Sequence, residues 1–258
     1  MRYTQENARI LAITESVPGV WNVILLAPAI AGAAVPGQFV TVRCDGYELR
    51  RPISICGFDS DLGVLRLVFE VRGKGTEWMA RRQSGEVLDL VGPLGHGFPL
   101  FDQDIKAVLI GGGIGTPPLL PLALHYGKNT AVITGFRTET SAILQEDFAA
   151  AGAQTLLCTD DGSAGFHGFT TQALAQHLEH NQCDIIYTCG PKIMMKRVAD
   201  TAAAAGVPCY VSMEERMACG VGACLGCTCK TRDEKGDPRM TRVCLNGPVF
   251  EASEVDWS

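Results

Sequence analysis

Histidine is scarce in this chain, five in 258 residues with none after His180, aromatic residues make up 7%, and basic residues are outnumbered, 22 Lys and Arg against 28 Asp and Glu. The basic deficit, a formal net charge of -6, excludes a nucleic-acid partner, because phosphate-backbone binders concentrate Lys and Arg on one face. A membrane-spanning run is missing too. The uncharged stretch Ala107 to Leu124 reaches 18 residues, but its centre is Gly111-Gly-Gly-Ile-Gly-Thr-Pro-Pro118, which cannot satisfy its own backbone as a lipid-exposed helix. No apolar leader follows the polar start Met1-Arg-Tyr-Thr, and the cysteine count is odd at 11, so a secreted disulfide scaffold is disfavoured. The expectation is a reducing, cytoplasmic setting.

What the chain has is glycine, 29 residues, and unevenly placed cysteine. Residues 1–100 hold Cys44 and Cys56, residues 101–210 hold four, and the last 48 hold five: Cys219, Cys224, Cys227, Cys229 and Cys244. Cys219, Cys224 and Cys227 follow Cys-x4-Cys-x2-Cys, with Cys244 16 intervening residues further on, which is the plant-type spacing for a 2Fe-2S cluster. A loop aiming three thiolates at one small cluster must turn back on itself, and Gly220, Gly222 and Gly226 permit that. Structural zinc is the competing reading, although its usual second Cys-x2-Cys knuckle or histidine pair does not occur here. Cys229 could replace Cys227; the spacing favours Cys227.

Upstream, residues 9–91 are short apolar runs separated by turn signals such as Pro18-Gly19 and Pro36-Gly37. In Val64 to Val71, Leu65, Leu67, Phe69 and Val71 alternate with Arg66 and Glu70, the period of a half-buried strand. These runs predict a small antiparallel β-barrel with one short helix at Thr76–Arg82. From Ile105 the rhythm becomes strand then helix, four times over, with helices at 117–126, 141–151, 171–180 and 193–205, which predicts a doubly wound parallel sheet. The fold class is therefore multidomain α+β: a barrel at 1–100, an α/β domain at 101–211 and a small cysteine-bearing subdomain at 212–258, which packing alone cannot order.

Two segments invite phosphates. Arg51-Pro-Ile-Ser54 ends a predicted strand and Gly75-Thr76 opens the short helix, so an Arg and a helix start can share a pyrophosphate. Gly111, Gly112, Gly113, Gly115 and Thr116 lie between a strand and a helix, the context a nucleotide-binding turn requires. No acidic residue stands clearly at the end of the following strand, where a NAD ribose contact is expected. Cys189-Gly190-Pro191 closes the last strand at the carboxyl edge, where ligands of open α/β sheets bind.

Arg51-Pro-Ile-Ser54, the glycine turn and Thr188-Cys-Gly-Pro191 in this order resemble the ferredoxin-NADP reductase superfamily, and Gly92-Pro-Leu-Gly-His-Gly-Phe98 resembles its junction motif. With the cluster loop and Val243-Cys-Leu-Asn-Gly-Pro-Val-Phe250, the resemblance narrows to the electron-transfer subunits of type B dihydroorotate dehydrogenase and covers nearly the whole chain. It implies FAD on the barrel, with Arg51 at the phosphates, Pro52, Ile53 and Ser54 along the flavin ring, and Val68, Phe69, Glu70, Gly75 and Thr76 completing the site. NAD(H) would dock at the glycine turn with its nicotinamide near Cys189 and Gly190. Ile53 stands where the wider superfamily has an aromatic residue. Electron counting agrees: a hydride carries two electrons, a 2Fe-2S cluster takes one, so a flavin must stand between them. No general acid or base is needed, and His96, His125, His167, His177 and His180 are expected to have no catalytic role. The implied partner is an FMN-containing catalytic subunit that oxidises dihydroorotate, two copies of each chain assembling together. The rivals are a flavin/iron-sulfur NAD(P)H reductase subunit of a hydrogenase or transhydrogenase, and a zinc-ribbon nucleotide-binding regulator.

Overall fold

A computed structural model describes residues 3–233 and 235–258. The chain forms two compact units, one comprising Met1–Phe98, Glu215–Cys229 and Arg242–Pro248, the other Pro99–Glu214, Lys230–Thr241 and Val249–Ser258. The cysteine-rich tail is thus shared between them.

In the first unit, β1 (Thr4–Val17), β2 (Val20–Leu26), β3 (Phe39–Val42), β4 (Arg51–Asp59), β5 (Val64–Glu70) and β6 (Val87–Leu94) close an antiparallel barrel in the order β1-β2-β5-β4-β3-β6. Two short helices, α1 (Pro28–Ala31) and α2 (Lys74–Ala80), accompany it. The two-residue period of β5 sends Leu65, Leu67 and Phe69 into the barrel core with Val40, Val42 and Ile55, while Arg66 bonds Asn22 at 2.9 Å. Helix α2 starts two residues before the expected Thr76. The Thr76 hydroxyl accepts the amides of Arg72 (2.9 Å) and Gly73 (3.2 Å), so Gly75 lies inside the first turn.

In the second unit, β7 (Ala107–Gly112), β8 (Thr130–Phe136), β9 (Gln154–Thr159), β10 (Phe166–His167), β11 (Ile185–Cys189) and β12 (Cys209–Ser212) run parallel, with α3 (Leu120–Tyr126), α4 (Gln145–Ala150), α5 (Thr170–His180) and α6 (Lys192–Ala205) between them. The helix expected from Ser141 begins only at Gln145. Ser141 is spent on a local turn, its hydroxyl donating to the Thr138 carbonyl at 2.8 Å. The tail adds β13 (Thr228–Arg232) and β14 (Pro238–Arg242) as a ribbon, α7 (Val243–Asn246), and β15 (Val249–Glu251). β15 pairs antiparallel with β12 and completes the order β10-β9-β8-β7-β11-β12-β15. A three-residue strand carries no periodicity to detect, so the sequence predicts none there. Among the described residues no helix is long and apolar enough to cross a membrane.

Candidate functional site

The cysteines come together as two pairs. The turn after Cys219 folds back so that the Cys224 amide donates to Cys219 Sγ at 3.3 Å, and the Cys244 amide, at the start of α7, donates to Cys227 Sγ at 3.4 Å. Helix α7 is seated by three contacts: the Val243 amide on the Cys227 carbonyl (2.9 Å), the Arg242 guanidinium on the Gly222 carbonyl, and Leu245 against Gly222. Burial pushes the Cys219 thiol up, but the amides of Cys224, Val221 and Ala223 outweigh it and bring the thiol down to about 6. Cys244 goes the other way, up to about 12, through burial and then the neighbouring Cys227 thiol. Thiols that hinder one another's ionisation suit a cation that takes the charge of all of them. Among the described residues no three His, Cys, Asp or Glu side chains group closely enough to hold one metal ion. Two thiol pairs, with backbone amides aimed at the sulfurs, fit a dinuclear iron-sulfur group better than a single tetrahedral zinc. Cys227, the partner of Cys244, is buried, and so is Cys229 in β13.

On the barrel, Arg51 opens β4 and lies across the start of α2. Its guanidinium donates to the Leu49 carbonyl, stacks 5.5 Å from the Tyr47 ring centroid, and occupies the space that a side chain at position 75 would need: a Cβ there would collide with Arg51 Nε. Arg50 is committed elsewhere, to Asp89 at 2.8 Å. β4 pairs with β3 as Arg51 with Val42, Pro52 with Thr41, Ile53 with Val40 and Ser54 with Phe39. Ile53 therefore shares the strand face of Val40 and packs on the barrel core, whereas Pro52 and Ser54 occupy the opposite face. On β5, Val68 and Phe69 are buried and Glu70 pairs with Arg72 at 2.7 Å, while Thr76 holds the turn described above. An Arg beside a helix start, with glycine admitting it, fits a pyrophosphate.

In the α/β unit the glycine turn runs straight into short 3-10 turns before α3. Gly111 pairs with Cys189, and a Cβ at Gly115 would stand 2.6 Å from the Gly190 backbone, so the two motifs meet at the carboxyl edge of the sheet. Thr116 is fully buried and its Oγ1 has no hydrogen-bond partner among the described residues. Cys189 is 1% exposed; burial, then the charge of Glu214, pushes its thiol well above the ordinary range, so it stays protonated. Beside the turn opens a cavity of about 480 Å³ whose walls include Gly112, Gly113, Arg137, Asp160, Phe169 and Pro191. No local pattern in the sequence singles out Asp160. It follows β9, not β8, and only the neighbouring strand order brings it to the same edge as Arg137. His125 bonds the Phe101 carbonyl at 2.9 Å, and the His96 amide donates to the Gly247 carbonyl at 2.6 Å.

Residues 214–256 match the family described as the iron-sulfur cluster binding domain of dihydroorotate dehydrogenase B. The chain is 40% identical over 257 residues to the dihydroorotate dehydrogenase B (NAD(+)) electron transfer subunit of Desulforamulus reducens, covering 97% of this chain and 98% of that protein. It is 42% identical over 229 residues to the subunit of the same name from Geobacillus kaustophilus, covering 85% and 86%. Among solved structures, a chain from a study of the NADH-dependent reduced ferredoxin-NADP oxidoreductase superposes with a TM-score of 0.87 at 30% identity, covering 98% of this chain and 90% of that one. The ferredoxin reductase of carbazole 1,9a-dioxygenase shares the fold, with a TM-score of 0.69 at 21% identity over 81% of this chain and 68% of that one.

Proposed function

The chain belongs to the family of dihydroorotate dehydrogenase B (NAD(+)) electron transfer subunits, and from that membership we propose how its residues divide the work. It is an oxidoreductase subunit that moves electrons between a catalytic subunit and NAD by way of FAD and a 2Fe-2S cluster. When bound, NAD(H) supplies two-electron hydride exchange, FAD the step from two electrons to one, and the cluster single-electron transfer. Arg51 neutralises the FAD pyrophosphate, and Gly75 leaves room for it. Pro52, Ser54 and Val68 present their strand face to the flavin; Ile53 and Phe69 hold that wall from the core side, with Glu70 and Thr76 bracing its edge. Gly111, Gly112, Gly113 and Gly115 let backbone amides approach the NAD pyrophosphate, Thr116 offers its unpartnered hydroxyl, and Gly190 and Pro191 bound the nicotinamide side. Cys189, kept protonated, moves no proton. Cys219, Cys224, Cys227 and Cys244 would hold the cluster with their thiolates.

The observation that carries this assignment is that Gly220 of the cysteine loop lies against Thr41, the cross-strand partner of Pro52. The flavin strand and the cluster loop then adjoin within one compact unit. The partner is an FMN-containing subunit that oxidises dihydroorotate to orotate in pyrimidine synthesis, two copies of each chain assemble, and the complex is cytoplasmic. Mixing the anaerobically purified chain with such a catalytic subunit should give dihydroorotate-dependent NAD reduction, with cluster and flavin absorption bleaching in sequence. Ferredoxin-linked NAD(P) reduction without any dihydroorotate activity would instead favour the second reading, to which the 30% identity with the oxidoreductase chain points.

Asp160 is the candidate contact for the adenosine ribose. Losing a hydrogen bond to a charged group costs about 1.5–3 kcal/mol, so Asp160→Ala should weaken NADH binding by roughly 10- to 150-fold and leave weak NADPH binding little changed. Titrating flavin bleaching with each nucleotide checks this; equal losses for both would remove Asp160 from the ribose.

A further inference from the structure

Arg51 is half-buried and, unlike the adjacent Arg50, has no ion pair with a carboxylate among the described residues. So long a side chain gains rotamer entropy by moving into water, and it keeps one geometry only where something neutral holds it. The segment between β3 and β4 supplies that hold. The Tyr47 amide donates to the Cys44 carbonyl at 3.1 Å, and this turn carries the Tyr47 ring, itself packed on the barrel core, to the guanidinium, whose central carbon stands 5.5 Å from the ring centroid. The same turn reaches the other side of the seat. Cys44 is fully buried and its thiol donates to the Gly75 carbonyl at 3.4 Å; burial pushes that thiol above its ordinary range, so it stays a donor. Gly75 is the residue at which a Cβ would collide with Arg51. One turn therefore fixes both the arginine and the glycine that admits it. Stacking on a ring uses the flat face of a guanidinium and leaves its in-plane N–H groups free. One of these goes to the Leu49 carbonyl, and the others have no protein acceptor among the described residues.

Resting on the assignment of Arg51 to the FAD pyrophosphate, we propose that Tyr47 is a positioning residue for FAD: its ring holds the Arg51 guanidinium face-on, so that the in-plane donors are already set for phosphate oxygens. Cys44 keeps the Gly75 backbone in register alongside. The entropy cost of immobilising the arginine then falls on folding rather than on cofactor binding, which is what pre-organisation means for affinity. Tyr47 acts through Arg51 and need not touch the cofactor.

The test titrates FAD into the full chain, freed of flavin but keeping its cluster, and follows flavin fluorescence for wild type, Tyr47→Phe, Tyr47→Leu, Arg51→Ala and the Tyr47→Leu/Arg51→Ala double variant. Left to be ordered on binding, one long side chain should cost Tyr47→Leu roughly 2- to 12-fold in FAD affinity. Tyr47→Phe keeps the ring and should stay within about twofold of wild type. The double variant should bind FAD as Arg51→Ala does, because the ring works only through the guanidinium. A ring that merely filled space in the barrel would weaken binding equally with and without Arg51. In wild type with FAD bound, the Arg51 side-chain protons should show the upfield NMR shift that an aromatic face imposes, a readout that does not depend on whether a variant folds. Wild-type affinity in Tyr47→Leu, additive losses in the double variant, or Arg51 protons without that shift overturns the inference, and a weakened Arg51→Ala then leaves the pyrophosphate assignment standing. Wild-type affinity in Arg51→Ala overturns both.

Discussion

Serine in place of Cys227 should yield a chain that still bleaches its flavin with NADH yet passes almost nothing to the catalytic subunit. Cys227 accepts the Cys244 amide at 3.4 Å and its carbonyl holds the Val243 amide, so in the proposed ligand set its thiol anchors one half while its backbone seats α7. Hydroxyl is a poor substitute for thiolate at iron, and metal binding at such sites is itself part of the folding free energy. Dihydroorotate-dependent NAD reduction should fall by roughly two orders of magnitude or more, because the only one-electron relay is gone. NADH oxidation by an artificial acceptor that takes electrons from the flavin should survive within about twofold. Visible absorption and EPR of the reduced protein should show the cluster lost. Cys229→Ala serves as the control and should keep both signals. Loss of the cluster in Cys229→Ala and its retention in Cys227→Ser would exchange the two assignments.

The second large effect concerns FAD. Arg51→Ala removes the cation proposed to meet the pyrophosphate, and each charge-assisted hydrogen bond lost costs about 1.5–3 kcal/mol, so affinity should drop by roughly 10- to 150-fold for each bond. Gly75→Ala tests the same site from the other side. The atom that its Cβ would meet is the far end of the flexible Arg51 side chain, so the barrel should fold normally while the guanidinium is pushed off its seat. Gly75→Ala should therefore release FAD much as Arg51→Ala does, and the double variant should be no worse than Arg51→Ala alone. Flavin fluorescence on dilution measures each. Wild-type affinity in Gly75→Ala would show that the cofactor does not need Arg51 where it now lies.

Both predictions use residues that were legible in the chain, but not equally so. The two-residue alternation of Leu65, Leu67 and Phe69 announced a barrel strand, because strand geometry is local. Arg51 is legible from its place at a strand end; that the adjacent Arg50 is spent on Asp89 is visible only in the structure. The start of α4 was misjudged because Ser141 bonds the Thr138 carbonyl instead of continuing a helix, a competition that composition does not reveal. Asp160 escaped notice because it is distant along the chain from the glycine turn and close only through strand order.

By itself the sequence determined the chemistry: the cysteine spacing, the glycine turn and the strand-then-helix rhythm are short-range patterns, and short-range patterns dictate local conformation and ligand type. Tertiary structure decided the pairing. Cys227 meets Cys244, Gly220 meets Thr41, Arg51 settles over Gly75, and a tail that reads as one segment divides between two compact units. Each of these is a contact between residues separated by many positions. Barrel closure and sheet order fix them, and no window along the chain contains both partners.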